Sequence, residues 1–331
     1  MSLIVDDPGL RASIQDRGRF GAREWGVAVG GAFDLNSFGL ANALLDNPLD
    51  AASIELTLLG GSYRAKTSMA LALAGAIFET RIERSNGDVR ALSIPQSFTL
   101  EEGDRLVLGR ATRGVRGYLA VQGGWRTPIV LGSRSIEKPL IRGEILPTEG
   151  PSKTLESRIV VNSSLLADPE DGPIRVVDGP DFDRLKNAET AWEGLRFRVG
   201  SKSDRIGLRL EGELPEFEAE ANKLSAPIAP GTIQGTASGL IVLGVACGTM
   251  GGYPHLAQVI SSDLDRLAQA KPGDRIFFLR ISIEEARRLD RADRSDRRRR
   301  LERVAEIFRL SRRAASTLSR SRPCPDRPSR P

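Results

Sequence analysis

Apolar and polar residues alternate along much of the first half of the chain, as they do in β-strands. In Ile54–Leu58 the apolar side chains share one face, which leaves Glu55 on the opposite face. Further along, the apolar runs Met69–Gly75 and Gly117–Val121 are separated by glycines and turn residues. We therefore predict that this half of the chain is mainly β.

One helix is predicted between these strands. Asp34 stands at the position of an N-cap, where a carboxylate can accept a hydrogen bond from a backbone N–H of the first turn. Apolar residues follow it at helical spacing, until Asn47–Pro48 ends the pattern. These apolar residues are Leu35, Phe38, Ala41 and Leu45.

The second half of the chain repeats the order of the first. The apolar run that begins at Leu240 stands 171 residues after the run that begins at Met69, and Pro272–Phe278 stands 170 residues after Glu102–Leu108. This spacing predicts two related β lobes, at about residues 1–150 and 158–283. Gly-Asp turns recur in many β proteins, so the repeat by itself is only suggestive.

Shorter elements are predicted between and within these lobes. A polar linker is expected at Gly150–Gly172, with a short strand at Arg158–Val161. Two short helices are expected in the second lobe, at Asp181–Trp192 and at Ser262–Gln269.

The last 48 residues, Glu284–Pro331, have a different composition. They contain 16 of the 48 basic residues and 8 of the 43 acidic ones, so the tail carries a net charge of +8 and residues 1–283 carry −3. Ser282–Glu285 resembles a capping box, and acidic and Arg side chains follow at i,i+4. We expect an exposed helix to about Leu310, with a brief apolar face, and a disordered segment after it.

Composition excludes several classes of function. The nearly neutral body of the chain argues against binding of nucleic acid. No apolar run approaches the ~18 residues of a membrane span, and the N-terminus lacks the features of a signal peptide, so the cytoplasm is the expected location. Cys247 and Cys324 predict neither a disulfide framework nor a metal cluster, and a single histidine, His255, cannot build a His-rich metal site.

Two glycine-rich stretches could carry chemistry. In the first, Gln15, Asp16 and Arg19 lie among glycines that allow a backbone to approach a ligand closely. In the second, from Gly231–Gln234 to Gly251–His255, adjacent glycines precede an aromatic residue, so their N–H groups could face a carbonyl or carboxylate oxygen. Each stretch has an alternative structural explanation, as turns, a helix cap and a buried tyrosine.

Taken together, these stretches resemble the biotin-dependent carboxyltransferase family, which includes the C subunit of the ATP-dependent 5-oxoprolinase, the second carboxyltransferase part of urea carboxylase (allophanate hydrolase subunit 2), and the antagonist of a sporulation-kinase inhibitor. The resemblance runs in order from about residue 3 to residue 281. The motifs that carry it are Pro8–Leu10, Ile14–Asp16, Gly18–Arg19, Gly26–Val27, Gly31–Ala32 with Asp34, Ala41–Asn42, Asn47, Ile54–Glu55, Tyr118–Gly124, Leu131–Ser135, Val177–Pro180, Asp204–Gly207, Gly231–Gln234, Gly251–Pro254 and Pro272–Asp274.

The resemblance implies a fold, a substrate and partners. It implies two cyclophilin-like β-barrel lobes that form one carboxyltransferase-like unit over residues 1–283, with a groove between the lobes. It implies one component of an ATP-hydrolysing complex that opens 5-oxo-L-proline to L-glutamate, together with a partner like the B subunit of 5-oxoprolinase and a lactam-utilisation partner like its A subunit. The chain has no biotin-attachment motif and no phosphate loop, so we expect ATP to be shared with these partners.

The candidate site residues follow from these motifs. We expect three of them, Asp34, Glu55 and Arg19, to be catalytic, chiefly by positioning the substrate. We expect the others to bind a small amide or lactam in one cleft, and no metal ligand is expected. These others are Gln15, Asn42, Arg134, Gln234, Thr249, Gly251, Gly252, Tyr253 and His255.

One departure from the family pattern leaves alternatives open. Where relatives are expected to carry an Asp and a Gln before the glycine pair, this chain has Ala246 and Gly248. The chain could therefore be a weak, altered or inactive version. The alternatives are transfer of a carboxyl group to urea or a related amide, and a regulator that binds a partner without catalysis.

Overall fold

The structure is a computed structural model that describes residues 1–148, 155, 172–218 and 223–320, with side chains up to Ser311. These residues form nineteen strands and three α-helices. Most of the predicted linker, its strand Arg158–Val161 and the segment that contains Cys324 lie outside the described residues.

The first lobe is built on one nine-stranded sheet. Its main path runs β2-β3-β8-β4-β1-β9, and β5 pairs with β6, β7 and β8. The strands are β1 (Ser2–Asp7), β2 (Arg11–Gln15), β3 (Ser53–Thr57), β4 (Leu59–Ala65), β5 (Met69–Glu83), β6 (Val89–Ala91), β7 (Gln96–Leu100), β8 (Arg105–Val121) and β9 (Ile145–Pro147).

The two faces of β5 bury different kinds of side chain. Leu71 and Leu73 face the core of the first lobe. Ala70 and Ala72, on the other face, belong to a cluster that also contains residues of two helices. The alternation of large and small apolar residues therefore lets the sheet fill a core on one side and admit helices closely on the other.

The second lobe has an eight-stranded sheet in the order β18-β11-β12-β15-β14-β17-β10-β19, and a separate ribbon of β13 and β16. The strands are β10 (Ile174–Asp178), β11 (Phe197–Val199), β12 (Gly207–Gly212), β13 (Ala226–Pro227), β14 (Thr232–Thr236), β15 (Gly239–Leu243), β16 (Met250–Gly251), β17 (His255–Val259), β18 (Arg275–Ile276) and β19 (Phe278–Arg280).

The sheet of the second lobe curls nearly into a barrel. Its two end strands, β18 and β19, follow each other directly in the chain, so Ile276 pairs with Phe197 at one end of the sheet and Phe278 with Ile174 at the other. This confirms the predicted fold class, a mainly β chain with two barrel-like lobes and a C-terminal helix.

The helices agree with the predictions in part. Asp34 caps α1 (Leu35–Ala43), and α2 (Leu264–Ala268) lies within the predicted Ser262–Gln269. The prediction of a helix at Asp181–Trp192 is wrong. Only a 3₁₀ turn forms there, at Phe182–Arg184. Asn187 has a positive φ of 49°, which is incompatible with a right-handed α-helix.

The C-terminal helix α3 (Ile283–Arg320) continues ten residues past the predicted end at Leu310. Its apolar stripe, with Leu301, Val304 and Phe308, is buried against α1 and β5, and Gly39 of α1 leaves room for Leu301. The helix is therefore exposed on one side only. Within the described residues, no helix has both the length and the hydrophobicity of a membrane span.

Candidate functional site

Glu55 of β3 is the centre of a buried polar network between the two lobes. One carboxylate oxygen accepts hydrogen bonds from the Tyr118 hydroxyl at 2.7 Å and from the Phe33 backbone N–H at 3.0 Å. The other oxygen pairs with Arg205 of the second lobe and lies 3.7 Å from Nε of Arg116. Glu55 thus joins the lobes through a fully desolvated ion pair.

Asp34 lies in the same network and has partners in both lobes. Its carboxylate accepts hydrogen bonds from the backbone N–H and the hydroxyl of Ser37, at 2.9 and 2.6 Å, and from Gln269 Nε2 at 2.6 Å. Its own N–H donates to the Tyr118 hydroxyl at 2.8 Å. We refer to these residues as the interlobe cluster: Asp34, Glu55, Arg116, Tyr118, Arg205 and Gln269.

The two carboxylates of the interlobe cluster differ in pKa. Burial raises the pKa of Asp34, against the opposing effect of the hydrogen bonds from Ser37 and Gln269. Burial also raises the pKa of Glu55, but the positive charges of Arg205 and Arg116 outweigh this effect, so the pKa of Glu55 is lowered overall. Glu55 is therefore a permanent anion, held between two cations.

The remaining candidates of the first lobe also have protein partners. Gln15, Arg19 and Arg134 each donate to a nearby oxygen, and Asn42 donates to the Ala51 carbonyl at 2.8 Å. The acceptors are Ser13 Oγ and the Ile136 carbonyl for Gln15, the Ser135 carbonyl for Arg19 and the Thr127 carbonyl for Arg134. The bonds of Gln15 and Arg19 fix the glycine-rich loop onto the segment 133–136, whereas Arg134 ties that segment to Thr127.

Asp16 also holds that loop in place through hydrogen bonds. Its carboxylate accepts hydrogen bonds at 2.6 Å from the hydroxyls of Ser133 and Ser135 and from the Arg134 N–H, and at 2.8 Å from the Gly18 N–H. Burial works against ionisation, but these four donors outweigh it, so the pKa of Asp16 is lowered. The first glycine-rich stretch is thus a tightly bonded loop.

The candidates of the second lobe have a different environment. Met250 and Gly251 of β16 pair with Ala226 and Pro227 of β13, and Tyr253 just beyond is 53% exposed. We call residues 226–227 and 249–253 the flap. It lies over the main sheet, because a side chain at Gly251 would come within 2.7 Å of Gln234 Nε2.

Two buried nitrogen atoms beneath the flap have no hydrogen-bond partner among the described residues. They are Nε2 of Gln234 and Nε2 of His255, whose residues are 4% and 2% exposed. The two residues stand opposite each other on β14 and β17, at a register shift in the ladder. Each such group costs about 1–3 kcal/mol. Eleven other buried side-chain atoms of the described residues also lack a partner, and this pair differs from them by lying face to face beneath Gly251.

His255 is held as a neutral ring. Burial lowers its pKa, and this effect exceeds that of Asp181, which favours the charged form. The Gly251 backbone raises the pKa, but by less than burial lowers it. A neutral imidazole has one donor and one acceptor nitrogen, and Nε2, which has no partner among the described residues, is the acceptor when Nδ1 carries the proton.

Asp181 orders the backbone at this point. Its carboxylate accepts hydrogen bonds from the His255 N–H and from Lys223 Nζ, both at 2.7 Å. The pKa of Asp181 is lowered because these bonds outweigh the opposing effect of burial. The strand start that carries His255 is therefore fixed while its ring nitrogen is left unpaired.

The pair beneath the flap offers one donor and one acceptor side by side. Gln234 Nε2 can donate and His255 Nε2 can accept, which is complementary to a carbonyl and an N–H on the same edge of an amide. A five-membered lactam holds its C=O and N–H on one edge, because the ring forces the cis amide. We call these two side chains and the flap the flap pocket; the flap is closed over both side chains, and none of the four cavities described below is lined by either of them.

The structure does not bring all predicted site residues together. Four cavities of the described residues have volumes of about 800, 710, 320 and 170 Å³, and none of the four is lined by both Asp34 and Tyr253. Asp34 is fully buried, whereas Tyr253 is exposed. The expected cleft that joins the first glycine-rich loop to the 251–254 turn is therefore not formed by these cavities.

Several residues of both regions were not expected from the sequence. Gln269 and Arg116 of the interlobe cluster, and Asp181 and Lys223 beside the flap, lack a motif of their own. Gln269 lies 235 positions from Asp34, and such a distance carries no local signal. No group of three or more His, Cys, Asp or Glu residues in the described part of the chain is arranged to hold a metal ion.

Comparison with known proteins connects this geometry to one family. The model of the carboxyltransferase domain, subdomain A and B, matches residues 25–280. The C subunit of the Escherichia coli K12 5-oxoprolinase is 33% identical over 290 residues, which cover 84% of this chain and 91% of that protein. The corresponding C subunit of Haemophilus influenzae is 32% identical over 292 residues, with 86% and 93% covered.

A solved structure is similar over most of the chain. The structure of the K. lactis urea amidolyase matches with a TM-score of 0.78 and 26% identity, over 89% of this chain and only 20% of that longer chain. The flap pocket and the interlobe cluster both lie within the matched domain, residues 25–280, whereas α3 follows it.

Proposed function

This chain belongs to the carboxyltransferase domain family with subdomains A and B, and we propose that it acts as the C subunit of an ATP-dependent 5-oxoprolinase. Two curated relatives of this name are at least 32% identical and are matched over at least 91% of their length. The proposed complex opens 5-oxo-L-proline to L-glutamate, and this chain binds the lactam.

The observation that carries the proposal is the unpaired donor and acceptor beneath the flap. Gln234 Nε2 donates to the lactam carbonyl oxygen, and His255 Nε2 accepts the lactam N–H. The alignment of both bonds with one edge of the ring selects a cis amide over the trans amide of an ordinary peptide. Tyr253 supplies an aromatic wall at the open end of the flap.

Ring opening requires an electrophilic carbonyl carbon and an oxygen whose growing negative charge is stabilised. In this proposal ATP, bound with the partner proteins, supplies the phosphoryl group that activates the carbonyl. Gln234 and the N–H groups of Gly251 and Gly252 hold the carbonyl side of the ring. Water attacks the activated carbonyl carbon, and neutral His255, which holds the ring nitrogen in place, can take a proton from that water and pass it to the ring nitrogen as the C–N bond is broken.

The other predicted residues have supporting roles in this proposal. Asp34 and Glu55 act by holding the two lobes in one relative position, through the partners described above. Arg19 and Gln15 hold the glycine-rich loop on the segment 133–136, and Arg134 ties that segment to Thr127. They are positioning residues, and the groups proposed to contact substrate are those of the flap pocket.

Reconstitution tests the proposal. The chain is co-purified with a partner like the B subunit of 5-oxoprolinase and a lactam-utilisation partner like its A subunit, and ATP hydrolysis is followed with and without 5-oxoproline. We expect hydrolysis only when 5-oxoproline is present. Gln234→Leu should lower kcat/KM about 100-fold, since it removes a donor to the developing charge.

Gln96→Leu is the matched control for this variant. Gln96 is also a buried glutamine without a hydrogen-bond partner among the described residues, but it lies on β7 of the first lobe. We expect Gln96→Leu to leave kcat/KM unchanged. Equal losses in the two variants would show that the effect of Gln234→Leu is a general effect of burial and would contradict the proposal.

A second candidate function is supported by the likeness to the K. lactis urea amidolyase, with its TM-score of 0.78. Urea also places a carbonyl and an N–H on one edge, so the flap pocket suits it as well. In this alternative the chain transfers a carboxyl group to urea or a related amide. ATP turnover that requires urea and bicarbonate, and ignores 5-oxoproline, would favour the alternative.

A third outcome of the same assay is a non-catalytic role. A chain that binds its partner proteins tightly and supports no turnover with either substrate would act as a regulator. The lack of acidic and amide side chains at Ala246 and Gly248 makes this outcome worth measuring.

A further inference from the structure

We propose that Arg23 is a positioning residue that holds the flap closed over Gln234 and His255 from across the lobe interface. This inference rests on the proposed function for its effect on substrate, while its structural part stands on contacts alone. Arg23 belongs to the first lobe, and the flap belongs to the second.

The position of Arg23 is set by a short turn. The residue lies in the 3₁₀ turn Ala22–Trp25, which is bracketed by Gly21 and Gly26 with φ of 86° and 75°. Both glycines are in the left-handed region, where other residues are strained. The turn therefore has a defined entry and exit, and it directs Arg23 towards the second lobe.

Arg23 donates to two carbonyls at the attached end of the flap. Nη2 donates to the Ile228 carbonyl and, at 3.4 Å, to the Thr249 carbonyl. Ile228 follows β13 directly, and Thr249 precedes β16 directly. The Ile228 N–H also donates to the Thr249 carbonyl at 3.0 Å, so one guanidinium completes the last rung of the ribbon.

The flap needs such support because it is very short. Its ladder pairs only two residues of each strand, and isolated two-stranded ribbons are marginally stable at best. A small buried cluster of Ile228, Leu243 and Cys247 lies at the same attached end. At the other end, Gly252 and Tyr253 are exposed.

This asymmetry defines how the flap would move. One end is held by the Arg23 bonds and the apolar cluster. At the other end the exposed Gly252 and Tyr253 lie between Gly251, which covers Gln234, and Pro254, whose carbonyl accepts the Gly235 N–H at 3.1 Å. A lactam reaches the buried nitrogen atoms only when this exposed segment lifts. Arg23 then returns the flap to the same closed position, so it controls substrate binding without contacting the reacting atoms.

Hydrogen–deuterium exchange of the single chain tests the structural part of the proposal, with no substrate present. In Arg23→Ala, amides in residues 226–229 and 249–252 should exchange about tenfold faster, because a charged donor to two carbonyls is lost. Amides elsewhere in the second lobe should keep their rates. Unchanged exchange in the flap, or faster exchange throughout the lobe, would overturn the proposal.

Arg17→Ala is the matched control. Arg17 is an exposed arginine of the same loop, and its guanidinium carbon lies 6.0 Å from the centre of the Phe20 ring. The variant should leave exchange in the flap at the wild-type rate. Arg23→Lys, which retains a charged donor, should restore most of the protection that Arg23→Ala loses.

Kinetics of the reconstituted complex test the effect on substrate. Arg23→Ala should raise KM for 5-oxoproline about tenfold and change kcat less, and Arg23→Lys should recover KM. A wild-type KM in Arg23→Ala, with faster exchange in the flap, would overturn the positioning role. A wild-type complex that never turns over 5-oxoproline would instead contradict the proposed function, and the exchange result would still decide whether Arg23 holds the flap.

Discussion

The interlobe cluster and the flap pocket both contain buried polar side chains, and they differ in whether the carboxylates of the first and the Gln234 and His255 side chains of the second have partners. Glu55 and Asp34 have hydrogen bonds or ion pairs at their carboxylate oxygens. Gln234 and His255 each retain a nitrogen that is unpaired within the described residues. The first arrangement stabilises one relative position of the lobes, and the second leaves binding capacity for a ligand.

This difference shows why charged residues alone are poor guides to a site. A buried carboxylate that is matched to two arginines gains little from a substrate, because its interactions are already made. A buried donor or acceptor without a partner costs free energy in the empty protein, and a ligand can recover that cost. The comparison therefore predicts losses of stability in the interlobe cluster and losses of activity in the flap pocket.

The largest effect is expected at Glu55. Glu55→Ala removes the carboxylate beside buried Arg116 and leaves Arg205 paired only with the part-exposed Glu137, so the free energy of unfolding should fall by about 3–5 kcal/mol. Urea denaturation measures this loss. Glu79→Ala, at an exposed glutamate on β5, should change stability by less than about 0.5 kcal/mol. Similar stabilities of the two variants would show that the buried pair contributes little.

Asp34 is expected to be the next most sensitive position. Asp34→Ala removes a helix cap and leaves Ser37 and Gln269 with unsatisfied donors, for a loss of about 2–3 kcal/mol in the free energy of unfolding. Asp34→Asn keeps a capping oxygen and should lose about 1 kcal/mol or less. A stable Asp34→Asn variant without ATP turnover would place Asp34 in contact with substrate after all.

A substitution of His255 should have the opposite effect, a loss of activity with little loss of stability. His255→Leu removes the unpaired acceptor, so kcat/KM for 5-oxoproline should fall about 30-fold, equivalent to about 2 kcal/mol. Its stability should stay within about 1 kcal/mol of wild type, because the lost Nε2 atom has no partner among the described residues. Since burial lowers the pKa of His255, the wild-type activity should persist as pH falls through 6.5.

The smallest expected effect is the pH dependence of stability that arises from Asp265 of α2. Burial first, and then the neighbouring Asp34, raise its pKa from 3.8 to about 7, against the opposing effect of Arg297. The folded state thus binds a proton that the unfolded state has lost, so this stabilisation is complete below pH 3.8 and is lost as pH rises through 7.

Asp265→Asn tests this dependence. The variant has no proton to lose, and its amide oxygen can still accept the Leu35 N–H, which is 2.8 Å from the carboxylate in the wild type. Between about pH 4 and pH 7 the wild type should lose stability relative to the variant, and the difference should level off above pH 7. Parallel stability curves for the two proteins would contradict the raised pKa.

Local features of the structure were predictable from the sequence. The alternation around Glu55 corresponds to β3, Asp34 caps α1 as expected, and α3 has the apolar face that its spacing predicted, although this face is buried and the helix was expected to be exposed. These features follow from the periods of strand and helix, which relate residues a few positions apart. The resemblance of the motifs to one family is likewise a property of the sequence.

The site was less predictable, because it depends on pairs of residues that are far apart in the chain. Glu55 pairs with Arg205, 150 positions later, and Asp34 with Gln269, 235 positions later. Such pairs remove two predicted catalytic residues from solvent. Conversely, nothing local shows that Gln234 and His255 lack partners, because an unpaired atom is recognised only when its whole surroundings are known.

The sequence by itself determined the strands, the capped helix, the two-lobed β fold and the family, since backbone geometry and short motifs encode them. Only the tertiary structure decided which polar groups are satisfied. Hydrogen bonds and ion pairs depend on distance in space, so folding assigned Glu55 and Asp34 to the lobe interface and left the two nitrogens of Gln234 and His255 without partners among the described residues.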